Sequence, residues 1–269
     1  MSLFSFRNHT VFGEYYDICA NTGVLKYKKA KHRDYGDSYF MEEYKSQYKK
    51  TYYEDESNLR NMASRRIDVL RSVFGVSGKG FAGKKILEIG SAAGFFLHEA
   101  EKAGFIGKGF ELSGQEAEYS RNKLGLDVEQ KSILEIPSQT YKNSWDVIAA
   151  FFVIEHISEI DSIWERLGDW LAPGGVLFLG LPCFFGPSFQ TNPKHWFETH
   201  PEDHFFDYDL ASLKKLLSIL GLKVKYARPM SYHQSRDLGL RGRLPHWGYK
   251  LYSNHFCYGD TIQVAAQKL

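Results

Sequence analysis

Residues 84–94 read KKILEIGSAAG, and this stretch decides the fold. KKILEIG is a short apolar run of the kind buried inside a parallel sheet. The glycines that follow, Gly90 and Gly94, stand four apart between this strand and the helix FFLHEAEKAG, which Gly104 ends. Gly90 permits a tight turn with close backbone approach to a ligand, and Gly94 lets the helix pack near the strand. A helix N-terminus placed there faces a ligand with free amides. A dinucleotide fold would hold a pyrophosphate with three glycines spaced GxGxxG. Here the spacing is GxxxG, and Glu88 stands two residues before the first glycine. That carboxylate suits a cationic amino-acid ligand better than a pyrophosphate.

Outward from this turn the chain alternates strands and helices. FIGKGFEL predicts a second strand ending at Glu111, where an acid can accept both hydroxyls of a ribose. GQEAEYSRNKLG predicts a helix, LDVEQ a weak strand and WDVIAAFF a strong one. The next helix places Ile160, Ile163, Trp164, Leu167, Trp170 and Leu171 on one face, and PGG stops it before the strand VLFLGLP. DLASLKKLLSILG carries a leucine stripe, and LKVKYARPM and DTIQVAAQK complete the set. No helix is evident between those last two strands, so they are expected to pair antiparallel at one edge. This order predicts an α/β, Rossmann-like, doubly wound sheet of seven strands, mostly parallel, with the last strand antiparallel.

Residues 1–80 differ in character. They open with an irregular basic and aromatic stretch, then the tyrosine-rich run DYGDSYFMEEYKSQYKKTYYEDES, then a helix carrying Leu59, Met62, Ala63, Ile67, Leu70, Val73 and Phe74, with Asp55 or Ser57 as its cap. We read 1–80 as an N-terminal helical extension and 81–269 as the main α/β domain, with inserts at 183–207 and 231–259. Phe40, Tyr44, Tyr48 and Tyr52 recur every four residues, which places the rings on one face of a helix.

Over 269 residues the chain is 43% hydrophobic and 25% charged, an ordinary globular balance, and its net charge of +2 exerts no strong general pull on nucleic acid. The local cluster Lys26, Lys28, Lys29, Lys31, His32 and Arg33 reads first as a solvated surface segment. Cys19, Cys183 and Cys257 are far apart and form no CxxC pair, which argues against a disulfide framework or a zinc ribbon. No apolar run is long enough for a membrane span, and the first residues lack the apolar centre of a secretory signal. A cytoplasmic protein without membrane or nucleic-acid partners is the expectation.

Four stretches together resemble the class I S-adenosylmethionine-dependent methyltransferases, in particular the type 11/type 23 group acting on small molecules. ILEIGSAAGFF resembles that family's first motif, and FELS its second-strand motif. WDVIAAFFVIEHI is similar to the fourth-strand motif, and LAPGGVLFLGLP to the turn and fifth strand that follow. The resemblance runs from about residue 84 to residue 182, and it implies a methyltransferase domain at 81–269 with the extension 1–80 as a lid over the cofactor site. It implies S-adenosyl-L-methionine as cofactor, with Glu88, Gly90, Ser91, Gly94 and Phe95 around its methionine portion. Glu111 would take the ribose and Leu112 would lie along the adenine. The family often carries an acid after the third strand. Ser132 and Ile133 stand there in KSILEIP, so a hydroxyl or amide would hold the adenine. Phe151 and Phe152 follow the fourth strand, where main-chain carbonyls meet the cofactor's amino group.

The chemistry demands little of the protein. A sulfonium methyl is already a strong electrophile, so the site mainly positions the nucleophile and excludes water. His156, in VIEHI, is the first candidate general base, at the sheet edge where ligands of such folds sit, against the plainer role of bracing its loop. His204, before Phe205 and Phe206, is the second. His195, Trp196 and His200 of the long insert, with Tyr44 and Tyr48, are candidate substrate-pocket residues. No metal site is indicated, because the histidine spacings fit no compact ligand pair. Arg236, Arg241 and Arg243 of the second insert are candidate contacts for an acidic group. The expected activity is methyl transfer to a small molecule, on oxygen before nitrogen or carbon. A non-catalytic cofactor-binding module and an NAD(P)-dependent oxidoreductase are the alternatives.

Overall fold

In a computed structural model of the chain, residues 2–33, 49–78 and 80–269 are described. The strand predicted from KKILEIG is β4 (Lys85–Ile89), with Ile86, Leu87, Glu88 and Ile89 all buried. β5 (Ile106–Glu111) and β7 (Trp145–Phe151) flank it in parallel, and β6 (Val128–Gln130) extends the sheet beyond β5. The remaining strands are β8 (Leu171–Pro182), β10 (Leu222–Pro229) and β11 (Thr261–Lys268). The seven lie in the order β10-β11-β8-β7-β4-β5-β6, and β10 pairs antiparallel with β11. The predicted sheet is therefore the observed one. Its order reverses at β4, and ligands of open α/β sheets bind at such a reversal.

Residues 1–32 depart from the expected irregular stretch. They form β1 (Phe6–Asn8), β2 (Tyr16–Cys19) and β3 (Leu25–Tyr27), an antiparallel meander completed by β9 (Phe206–Asp207). Alternation was hard to see in strands of three or four residues, yet Tyr16, Leu25 and Tyr27 bury one face against Phe189. Three lysines of the basic cluster find acids: Lys28 with Asp17, Lys29 with Glu14 and Lys31 with Glu202. The helical part of the extension is α1 (Glu56–Phe74), whose buried stripe is Ala63, Ile67 and Leu70. Asp55 does not cap it with its side chain; that carboxylate meets Lys50 and Asn58 instead. Phe40, Tyr44 and Tyr48 lie outside the described residues, while Tyr52 stacks on Phe95 at 5.5 Å.

The chain makes two compact units, and they do not divide at residue 80. One is Arg33–Ala150 with Asp169–Leu177; the other is Met1–His32, Phe151–Gly168 and Phe178–Leu269. Three further helices are α2 (Phe95–Lys102), α3 (Gly114–Leu124) and α4 (Ile160–Trp170). Short helices Pro187–Thr191 and Pro193–Glu198 sit in the first insert, and Asp209 caps the leucine-striped helix Leu210–Ile219 in a reciprocal box with Ser212. A helix absent from the expectation, His246–Phe256, stands between β10 and β11. Its buried residues are only Tyr249 and Ser253, too few to leave an apolar period in the sequence. No described helix is long and apolar enough to cross a membrane. All three cysteines are free and buried.

The turn from β4 to α2 uses left-handed backbone at Gly90 (φ 68°), Ala92 (φ 47°) and Gly94 (φ 78°). A Cβ on Gly94 would meet Leu126 Cδ1 at 2.5 Å and Ser120 Oγ at 2.8 Å. Gly94→Ala therefore adds a clash to a backbone conformation that L residues resist. The expected cost is about 2–4 kcal/mol of folding stability, read by chemical denaturation. A wild-type midpoint in the variant would contradict this packing.

Candidate functional site

The first unit carries the turn and its carboxylates. Gly90 N–H donates to the Phe110 carbonyl at 2.8 Å, fastening the turn to the end of β5. Glu111 strengthens that join from the other side. Its Oε2 accepts from the Ala92 amide at 2.7 Å, and its Oε1 accepts from the amides of Leu112 and Ser113 at 2.8 and 2.9 Å. One carboxylate thus bridges two loops at the carboxyl ends of neighbouring strands. Leu112 beside it is 49% exposed, so an apolar side chain stands open next to the acid. Ser120 Oγ donates to the Ala92 carbonyl at 3.0 Å and steadies the same turn from α3.

Glu88 is 4% exposed, and its Oε2 has no hydrogen-bond partner. Burial pushes its acid well above the usual carboxylate range, the positive Arg66 pulls it back, and the nearby Glu111 pushes it up again. Burial likewise raises Glu111 against the pull of its three amides. Arg66 on α1 is itself pushed down to about 10 by burial, with Glu88 opposing. The two acids predicted from the sequence therefore feel one another, and a third group that the sequence did not suggest, Arg66, joins them.

Of the other predicted cofactor contacts in this unit, Ser91 and Phe95 are buried and Ser132 caps a short turn that begins at buried Ile133. The Ser132 hydroxyl accepts from the Leu134 amide at 3.2 Å, and Glu135 returns the bond to the Ser132 amide. Ser132 is thus held in a capping box, with its hydroxyl proton still available to an acceptor.

The second unit gathers the histidines. Phe151 packs edge-on against Phe178 at 5.4 Å. Phe152 holds φ 60°, a left-handed conformation costly for a bulky side chain, and it is 39% exposed. A 3-10 turn at Ile154–His156 follows, with Ile154 and Glu155 buried. Phe205 N–H donates to the Glu155 carbonyl at 2.8 Å and joins this turn to the end of the first insert. His156 Nδ1 lies 3.1 Å from the Asp203 carbonyl, and its ring meets His204 edge-on at 4.7 Å.

Behind these rings runs a chain of buried polar groups. Trp196 Nε1 donates to the Tyr16 hydroxyl at 3.1 Å, and Tyr16 donates to Asp207 Oδ2 at 2.7 Å. The same oxygen meets His200 Nε2 at 2.8 Å, and His200 Nδ1 lies 2.9 Å from the Pro201 carbonyl. Both nitrogens of His200 face acceptors, an arrangement that favours the imidazolium. Burial works against that charge, but Asp207 outweighs it and raises His200 above its ordinary value. Burial and the neighbouring His156 instead hold His204 down and neutral. Glu155, 1% exposed, is pushed up to about 8 by burial against a pull from its own amide, with Asp207 and Asp203 pushing the same way.

The predicted residues thus divide. His156, His200 and His204 come together, and Trp196 is tied to them through Tyr16. His195 is exposed on the short helix Pro193–Glu198. Tyr44 and Tyr48 lie outside the described residues. Arg236 joins His233 and Ser188 on the buried Asp260 carboxylate, and Arg241 approaches Asp237, so these two arginines serve internal acids. Tyr16, Glu155, Asp203 and Asp207 complete the histidine cluster. Nothing local in the sequence joins Tyr16 to Asp207, because the β2–β3–β9 pairing that does so is itself invisible there.

The family model of a methyltransferase domain matches residues 59–227, more than half of the chain. The ubiquinone biosynthesis O-methyltransferase of Actinobacillus pleuropneumoniae is 30% identical over 107 residues, 37% of this chain and 46% of that protein. Phosphoethanolamine N-methyltransferase 1 of Zea mays is 26% identical over 163 residues, 53% of this chain and 31% of that protein. The matches span less than half the length of either relative. Among solved structures, an S-adenosylmethionine-dependent methyltransferase of Archaeoglobus fulgidus superposes with TM-score 0.57 at 16% identity, over 87% of this chain and 100% of that one. A phosphoethanolamine N-methyltransferase of Haemonchus contortus, in complex with phosphomonomethylethanolamine and S-adenosylhomocysteine, gives 0.54 at 17% identity, over 76% and 52%. At such identities the superpositions speak for the fold alone. Sheet order, the turn with its two acids and the family match lead to one conclusion: the chain belongs to the class I S-adenosylmethionine-dependent methyltransferase family.

Proposed function

We propose that the protein transfers a methyl group from S-adenosylmethionine to a small-molecule acceptor, on oxygen in preference to nitrogen or carbon. The observation that carries the cofactor half is Glu88: a carboxylate buried to 4% with an unpartnered oxygen, beside the glycine turn, asks for a cation. The cofactor's α-ammonium is such a group, and its ribose diol suits Glu111, whose carboxylate is already fixed in place by three amides. When bound, the cofactor supplies an electrophilic methyl on a sulfonium. Glu88, Gly90, Ser91, Gly94 and Phe95 would hold its methionine portion. Glu111 and Leu112 would hold the nucleoside, with Ser132 and Ile133 at the adenine.

On the acceptor side the reading assigns His156 to the acceptor's proton, its ring oriented through Nδ1 by the Asp203 carbonyl. His204 stands against it with a neutral ring. His200, closed in by Asp207 and Pro201, positions this cluster rather than titrating freely. The preference for oxygen rests on these imidazoles, since an amine needs less help to lose its proton. The O-methyltransferase relatives agree with it.

Two outcomes test the cofactor half. Glu111→Gln should weaken S-adenosylhomocysteine binding about 10–100-fold in isothermal titration calorimetry, since a bond to a charged acceptor is lost. Unchanged affinity would remove Glu111 from the site. The second outcome is a pH dependence. Because burial raises Glu88, the acid holds its proton in the free protein above the usual carboxylate range. Pairing with an ammonium requires the anion, so binding releases a proton and affinity should rise with pH above the usual carboxylate range, until the free acid is itself ionised. Glu88→Gln should bind more weakly and lose that slope. A slope retained in the variant would place its origin elsewhere.

A further inference from the structure

We infer that Glu155, His156 and His204 form a binding site for a divalent transition-metal ion of the zinc class. Two imidazoles and a carboxylate are the donor set such ions take, with a position left open for water or substrate. In this fold the three side chains bring one donor atom each to within 4.8 Å of the others. Bonds of about 2.0–2.2 Å would draw them to roughly 3.4 Å apart, a closure within reach of side-chain rotation.

Two features support an ion over a plain packed cluster. Neither side-chain oxygen of Glu155 has a hydrogen-bond partner, although the residue is 1% exposed. The charged neighbours that bear on it are acids, Asp207 and Asp203, and the His200 imidazole in the cluster is already engaged by Asp207. A bare buried carboxyl among acids is costly, and a metal ion is the group whose charge and ligand capacity answer it. Second, His156 already has the outer partner that metal-bound imidazoles use, the Asp203 carbonyl at 3.1 Å from Nδ1, with an Asp203 carboxylate oxygen at 3.5 Å.

A rival trio, His200, His204 and Asp207, is equally compact. Its charges already answer one another: His200 Nε2 is 2.8 Å from Asp207 Oδ2 and the Tyr16 hydroxyl donates to the same oxygen, although Asp207 Oδ1 has no partner. That pair reads as a brace behind the site. The Phe205 amide on the Glu155 carbonyl holds the two contributing segments together without any ion. The inference does not rest on the methyl-transfer reading. If it holds, the acceptor-side chemistry passes from a free imidazole to a metal-bound group at the same place.

The test is titration of the full-length protein, stripped with chelator and dialysed, with zinc chloride by calorimetry and with cobalt(II) chloride by visible absorption. One equivalent should bind per chain, and cobalt should develop the d–d bands of a site of low coordination number. His204→Ala and Glu155→Gln should each weaken binding by about 100-fold or more, and Asp203→Asn by about 10-fold. His246→Ala, which alters an exposed histidine bonded to Gln234, should leave the isotherm unchanged. Circular dichroism separates a lost site from a lost fold. Should His204→Ala unfold, the Asp203→Asn isotherm and the wild-type cobalt spectrum decide the matter. No saturable binding to wild type, or binding indifferent to Glu155 and Asp203, would overturn the inference. Because neither readout involves a methyl donor, failure here leaves the cofactor reading standing, and failure there leaves this one.

Discussion

The carboxylate of Glu111 is the joint on which the cofactor half depends. It takes the Ala92 amide from one loop and the Leu112 and Ser113 amides from the next, and so locks two strand ends into one surface. A charged acceptor shared among three amides is stronger than neutral turn bonds and is partly shielded from water. It also explains how Ala92, without a glycine's freedom, sits at φ 47°. The surrounding structure over-determines that backbone, as strained positions require. Glu111 is therefore a structural clamp in this chain, and under the proposed function the same carboxylate would also take the ribose.

Buried charge is handled differently in the two units. Around Glu88 the balance is left incomplete: one arginine answers it, one acid opposes it, and one oxygen has no partner. Around Asp207 one oxygen takes both His200 and Tyr16, with Trp196 behind the tyrosine, while Oδ1 has no partner. Incomplete sites are where ligands enter, because a ligand can supply what the protein withholds. By that measure Glu155, with neither oxygen partnered, is the least complete of the three. Glu88 and Glu155 are both buried acids with unpartnered oxygens, Glu88 near the carboxyl end of β4 and Glu155 in the turn that follows β7.

The sequence was most legible where one segment carries both the element and the chemistry. KKILEIGSAAG holds a buried strand, a turn that needs glycine and an acid, so strand, turn and Glu88 could be read together. FEL did the same for Glu111. Short elements were harder. β1, β2 and β3 have three or four residues each, and β9 has two, so period-two alternation has almost nothing to repeat. Their loss hid the Tyr16–Asp207 bond, and with it the reason His200 is held. The helix His246–Phe256 was missed because its apolar residues Trp247, Leu251 and Phe256 face outward, each more than half exposed, and give no inward stripe. The grouping of Glu155 and His156 with His204 is a product of tertiary folding, and spacing along the chain argued against it.

The central claim is that the turn after β4 and the end of β5 together form the cofactor surface. Hydrogen–deuterium exchange with and without S-adenosylhomocysteine tests it most directly, since it reports amide by amide. The account predicts slowed exchange at residues 89–95 and 111–113 on ligand addition, above any change in β10 or β11. Protection confined to other segments, or none at saturating ligand, would contradict it.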